Sequence, residues 1–269
     1  MAARTSLRVK SFMQHYSVKA ENFSQDSENR IHSDDIAQKY GFSGALVPGV
    51  AIYGHLTYPL VEEFGQLWLD QACNQVRLFK PTYHGDILTF TYIDGPEKQT
   101  VNCDNQNGVR IATLTSEFNS APETPDLTSL APPYKNPDRT EIQWHNVVPY
   151  QAFTPWTCEL TPADNERYVT EVKDPHSLYK TGAIHPHLLL SLANTALMNE
   201  YKMPTWLHVG SETRHHAGLY EGDTVTVKSV PLKKWQNKGH HFIQIWVTYW
   251  RDNVMTTEIR HTAIFKLAA

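Results

Sequence analysis

Cysteine is scarce in this chain of 269 residues. Cys73, Cys103 and Cys158 are three, odd in number and without CxxC spacing, which excludes a disulfide scaffold and implies reduced thiols in a cytoplasm-like, cytoplasmic setting. None has the surroundings of a nucleophile. No apolar run approaches the roughly 18 residues of a membrane span, and no signal-like apolar segment opens the chain, so no membrane partner is expected. Arg4, Arg8, Lys10 and Lys19 make Met1 to Ala20 a basic lead-in to a first strand. The formal charge of −4 leaves no basic excess, which argues against nucleic acid as a partner. GxGxxG, GxxxxGK[ST] and HExxH are all missing, and Gly210-Ser211-Glu212 lacks the second glycine of a nucleophile elbow. Dinucleotide, kinase and serine-hydrolase readings fall away. His185, His187, His215, His216, His240 and His241 have no accompanying cysteine, so no metal and no redox cofactor is expected.

Present instead is an ordinary core composition, 41% hydrophobic and 19% charged. Thr5 to Val18 alternates loosely as a first strand. Ser33-Asp34-Asp35 opens a short helix to Tyr40, stopped by Gly41. Val50, Tyr53, Leu56, Thr57, Leu60, Val61 and Phe64 recur at three and four, predicting a helix over 50–64 buried on a broad face. Gln75–Phe79, Ile87–Ile93 and Val109–Phe118 read as strands, with Asn105-Gln106-Asn107-Gly108 as a hairpin turn. Prolines 122, 125, 132, 133 and 137 then interrupt a polar linker over 120–140. Beyond it, Glu166–Val172 reads as a strand, His187–Tyr201 as an apolar helix, and Thr224–Val230, His241–Trp250 and Met255–Leu267 as strands.

The second half repeats the first. Tyr83-His84-Gly85-Asp86 aligns with Tyr220-Glu221-Gly222-Asp223 at an offset of 220 − 83 = 137, and the same offset pairs Arg77 with Arg214 and Gly49 with Pro186. The expected architecture is α+β, two tandem units over 1–119 and 141–269, each a long central helix wrapped by an antiparallel sheet.

Chemistry concentrates between Asp26 and Gly54. Asp26, Ser27, Glu28, Asn29 and His32 precede a loop, and Pro48-Gly49 opens the apolar helix, whose end offers unpaired N–H groups with partial positive charge. A base, an acid and oxyanion donors can converge there.

Asn-x-x-His ahead of a sheet-wrapped helix, with a Tyr-x-Gly-Asp turn behind it, resembles the MaoC-like branch of the hotdog superfamily, the (R)-specific enoyl-thioester hydratases and 3-hydroxyacyl-thioester dehydratases. Two tandem units resemble its double-hotdog members. The family pattern Asp-x-Asn-Pro-φ-His, an acidic turn and Ala is met by Asn29-Arg30-Ile31-His32-Ser33-Asp34-Asp35-Ile36-Ala37, with Arg30 in place of proline as in related Arg-Ile-His dehydratases. The family aspartate falls on Ser27. Either Asp26, six before the histidine, or Glu28, four before it, supplies the acid, or the acid is lost.

The resemblance implies a lyase of fatty-acid metabolism that interconverts 2-enoyl and 3-hydroxyacyl thioesters. His32 and Asp26 would hold the water, Asn29 orient it, and the Gly49 N–H receive the thioester oxygen. Ser27, Glu28, Val50 and Tyr53 would border the substrate, and Arg77 and Lys80, with Arg214, Lys233 and Lys234, would meet the phosphates of CoA or an acyl carrier protein's phosphopantetheine. The second unit lacks the motif, since the offset carries His32 onto Val169. One active site is expected, in the first unit and walled by the second. A hotdog thioesterase and a non-catalytic acyl-thioester binder are the rival readings. A homodimer is compatible, although two tandem units already form the pair single hotdogs need.

Overall fold

The computed structural model describes residues 15–118, 125, 131 and 138–268. Most of the Pro-rich linker and residues 5–14 of the expected first strand lie outside the described residues. The first unit runs β1 (His15–Lys19), α1 (Asp34–Lys39), α2 (Gly49–Phe64), α3 (Gln66–Gln71), β2 (Cys73–Leu78), β3 (Ile87–Ile93), β4 (Gln99–Asn105) and β5 (Arg110–Glu117). The second runs β6 (Trp156–Glu159), α4 (Pro162–Val172), α5 (Pro186–Glu200), β7 (Leu207–His215), β8 (Thr224–Asn237), β9 (His240–Arg251) and β10 (Val254–Lys266).

The ten strands form one antiparallel sheet in the order β1-β3-β4-β5-β2-β7-β10-β9-β8-β6. Each half has the same order, and the halves join where β2 pairs with β7. Gln75 lies directly opposite Glu212 in that pair, and 212 − 75 = 137, so the offset read from sequence is a pseudo-twofold axis through this strand pair. The repeat extends to hydrogen bonds. Tyr83 N donates to Asp86 Oδ2 at 2.9 Å as Tyr220 N does to Asp223 Oδ2 at 2.8 Å. Leu46 bridges Tyr83, and Ala183 bridges Tyr220. Gly85 and Gly222 turn at φ of 92° and 88°, a left-handed conformation that favours glycine. The fold is an α+β double hotdog.

α2 is the hub. Val50, Tyr53, Leu56, Leu60 and Val61 are all buried, and the helix packs on β3, β4, β5, β7 and α5. Among the described residues no helix is long and apolar enough to cross a membrane.

One expected strand is a helix. Glu166–Val172 belongs to α4, because Thr161 accepts from Asp164 N at 3.1 Å as an N-cap and Pro162 starts the first turn. α3, β4, β6 and β7 also lie where the sequence suggested no element.

Candidate active site

His32 ends a 3-10 turn, Arg30–His32, held by its neighbours on both sides. Ile31 is fully buried in a small cluster with Ala37, Leu46, Ile264 and Leu267, which pins the turn against the second unit. Asn29 is buried and clamps the backbone of Trp206, giving Nδ2–H to its carbonyl at 3.0 Å and accepting its N–H at 3.2 Å. This clamp fixes which way the amide faces. The remaining Nδ2 proton points to His32 Nε2 at 3.3 Å.

On the other side of the ring, His32 Nδ1 lies 2.7 Å from the Leu46 carbonyl. A carbonyl only accepts, so Nδ1 carries the proton and Nε2 keeps its lone pair. Burial lowers the His32 pKa from its ordinary value, partly opposed by the Leu46 hydrogen bond. His32 is therefore a neutral base of fixed tautomer at neutral pH.

His32, Asn29 and the start of α2 border a cavity of about 280 Å³. Pro48, at the N-cap position, makes no side-chain cap; the Ala51 and Ile52 N–H groups reach the Pro48 carbonyl, and the Gly49 and Val50 N–H groups lack an intrahelical acceptor. Leu78 and His208 pack closely on Gly49, where a Cβ would stand 2.4 Å from Leu78 Cδ1 and 3.1 Å from His208 Nδ1, so a side chain there would have to displace them. The second unit supplies Asn194, Trp206, His208 and His240 to the lining. Phe79, half exposed, and Lys80 lie at the same cavity. Among the described residues, no carboxylate lines it.

The sequence-derived residues divide accordingly. His32, Asn29, Gly49 and Lys80 meet at the cavity. Asp26 is exposed and does not line it. Glu28 forms a paired contact with Arg139 at 2.7 and 3.1 Å and accepts from Met203 N at 3.4 Å. Partial burial pushes its pKa up, but these contacts outweigh it and the net shift is downward. Glu28 is a tie between segments. Ser27 donates to the Asn29 carbonyl at 3.2 Å. Val50 and Tyr53 are core residues, Tyr53 giving its hydroxyl proton to Asn74 Oδ1 at 3.3 Å, and Ile52 takes the place on the cavity wall. Arg77 lies in a separate groove with Gly210 and Arg260. Lys234 binds the carbonyls of Trp144 and Val147, and Lys233 lies over Trp235.

The equivalent junction in the second unit is built differently. The Ala183 carbonyl, counterpart of Leu46, receives Asn165 Nδ2 at 3.0 Å rather than an imidazole. His185, one residue before Pro186, caps α5 by accepting from His187 N at 3.0 Å, and its Nε2 meets Asp174 Oδ2 at 3.2 Å with both side chains buried. Among the described residues, no three His, Cys, Asp or Glu side chains are grouped as metal ligands.

No protein-family model matches the chain, and no curated protein matches it. Solved structures do. It is similar to one described as a MaoC domain protein dehydratase from Chloroflexus aurantiacus J-10-fl, with TM-score 0.61 and 12% identity over 100% of both chains. A conserved hypothetical protein of Mycobacterium tuberculosis described as having a double hotdog fold gives TM-score 0.60 at 13% identity, over 95% of this chain and 96% of that one. A structure described as an oleoyl thioesterase from Lactobacillus plantarum gives 0.50 at 12%, over 94% and 96%. These neighbours share the fold and include both dehydratases and thioesterases.

Proposed function

We propose that the chain adds water reversibly to 2-enoyl thioesters at the cavity that borders the start of α2. The observation that carries this reading is His32, a desolvated imidazole whose Nδ1 is committed to the Leu46 carbonyl at 2.7 Å, so that Nε2 is the basic atom beside an uncapped helix start. In hydration, Nε2 takes a proton from water as its oxygen bonds to Cβ. The alkene π pair moves toward the thioester, whose oxygen gains charge beside the Gly49 N–H. Collapse of that enolate returns the π pair to Cα, which takes the proton from His32. Dehydration is the reverse. Water and thioester balance without a cofactor, and one imidazole serves both proton transfers.

This assignment replaces the water-holding carboxylate expected from sequence, because Asp26 and Glu28 both lie off the cavity. Asn29, with its donors committed, orients the imidazole rather than the water. The same lack of a lining carboxylate weighs against thioester hydrolysis by a carboxylate base. A neutral imidazole with its unprotonated nitrogen at the same cavity as an uncapped helix start weighs against a passive binder. Lys80 would meet a phosphate of CoA or of a carrier's phosphopantetheine.

The test is crotonyl-CoA and a longer 2-enoyl-CoA with the purified protein, following the enoyl-thioester absorbance and free thiol together. Loss of absorbance without thiol is the expected result. Thiol release would assign a thioesterase, and binding without either change would assign a carrier.

A further inference from the structure

β7 enters the sheet centre with a defect. β10 pairs Thr262 with Gly210 and Ala263 with His208, so Val209 is an extra residue, a β-bulge. The consequence is a change of face. In a regular strand residues three apart point to opposite faces, yet His208 Nε2 lies 2.9 Å from Ser211 Oγ. The bulge has turned His208 onto the Ser211 side. Ser211 Oγ in turn lies 2.9 Å from His261 Nδ1, and the two imidazoles stack at 4.5 Å.

The far nitrogen of His208 points elsewhere. His208 Nδ1 is buried with no hydrogen-bond partner, and it stands 3.1 Å from where a Cβ on Gly49 would be, at the first turn of α2 and on the cavity wall. A histidine kept for packing satisfies both nitrogens or faces apolar neighbours. This one is held on one side by a relay, while its other nitrogen is buried without a partner against the first turn of α2, in a residue that lines the cavity.

We propose that His208 is a second catalytic imidazole, its Nδ1–H binding the thioester oxygen beside the Gly49 N–H while Ser211 and His261 hold the ring in that tautomer. The role needs the relay in one of its two senses, His261 Nδ1–H donating to Ser211 and the Ser211 hydroxyl to His208 Nε2, with the proton of His208 on Nδ1. Burial lowers the His208 pKa to about 4, opposed by a backbone contact with Gly210, so the ring is a neutral donor at working pH. Neutral imidazole as an oxyanion donor next to a helix N-terminus is established chemistry. The relay neither gains nor loses a proton, because the transferred proton shuttles between water, His32 and Cα. His208 supplies electrophilic assistance that the missing carboxylate does not.

The turnover arm of the test rests on the hydration reading, and the binding arm does not. Butanoyl-CoA labelled with ¹³C at the thioester carbonyl, which cannot be hydrated, is bound to wild type, His208→Phe, His208→Gln, Ser211→Ala and His32→Ala, and the carbonyl stretch is read by difference infrared. Wild type and His32→Ala are expected to move the band to lower frequency. His208→Phe keeps only the smaller shift due to the Gly49 N–H, His208→Gln keeps more of it through its amide N–H, and Ser211→Ala, away from the ligand, reduces it. With crotonyl-CoA, His208→Phe lowers kcat by about 10²–10³, the effect of losing one oxyanion donor, with KM within a few-fold. Wild type that shifts the band without hydrating would sink the hydration reading and leave His208 standing. A band equally shifted in His208→Phe, an unshifted band in wild type, or no binding of butanoyl-CoA would overturn the proposal.

Discussion

At the start of α2, Pro48 leaves the helix end uncapped, Gly49 contributes an N–H, and His32 reaches the Leu46 carbonyl. At the equivalent start of α5, the His185 side chain caps the helix, Pro186 contributes no N–H, and Asn165 reaches the Ala183 carbonyl. The same loop-to-helix junction is left open in one unit and sealed in the other. The sealed copy has given its polar groups to stability, while the open one keeps a helix end without a side-chain cap and an imidazole, held by Leu46 and Asn29, at a cavity. Duplication of a hotdog thus separates two demands that compete at one junction.

Copying the sealed feature into the open unit tests that contrast most severely. Gly49→Pro is compatible with the helix, since proline suits the first helical position and Pro48, at φ −57° and ψ 132°, already has the extended conformation that precedes proline. It removes the oxyanion donor, and its ring crowds Leu78 and His208. A loss of at least about 10²-fold in kcat is expected with helicity retained, checked by kinetics and circular dichroism.

Breaking the seal has the opposite signature. His185→Ala deprives the buried Asp174 Oδ2 of its partner and removes the α5 cap. Denaturant titration should give a loss of about 3–5 kcal/mol, the range for breaking a buried pair. Turnover per folded molecule should be unchanged.

Acid should erode both units. Burial lowers the pKa of His55, His208 and His215 to about 4, and lowers His32, His187 and His261 as well. Unfolded histidine titrates near 6.5. Between about pH 6.5 and 4 the unfolded chain therefore binds protons that the folded chain refuses, and stability falls as pH falls. Unfolding midpoints at pH 7.5, 6 and 5 check the direction. His32 obeys the same sign, so the acidic limb of kcat/KM is expected below pH 6.5.

The smallest effect belongs to the acid nearest the motif. Asp26→Asn should leave hydration within about 2-fold, because Asp26 is exposed and off the cavity.

Much of this was legible in the chain. The 137-residue offset located both helix starts and both Tyr-x-Gly-Asp turns, because close turns and helix caps depend on residues a few positions apart. Asn29, His32 and Gly49 were legible for the same reason. β7 was hidden because its inward face carries Ser211, Thr213 and His215 rather than an apolar alternation. α4 was misread because Tyr168 and Val169 suggest a strand, while its start signals, Thr161 and Pro162, lie ahead of the window. The roles of the acids were beyond local reading. Glu28 is claimed by Arg139, 111 residues away, and Asn29 by Trp206, 177 residues away. His208 was hidden by the bulge, since parity along the strand assigns it the wrong face.

The most direct test of the account is the rate at which His32→Ala consumes crotonyl-CoA beside wild type, with unfolding temperature measured on both. A fall of about 10²–10⁴, the usual contribution of a positioned base, with an unfolding temperature near that of wild type, is the expected result. Hydration within a few-fold of wild type in His32→Ala would contradict a site built on that imidazole.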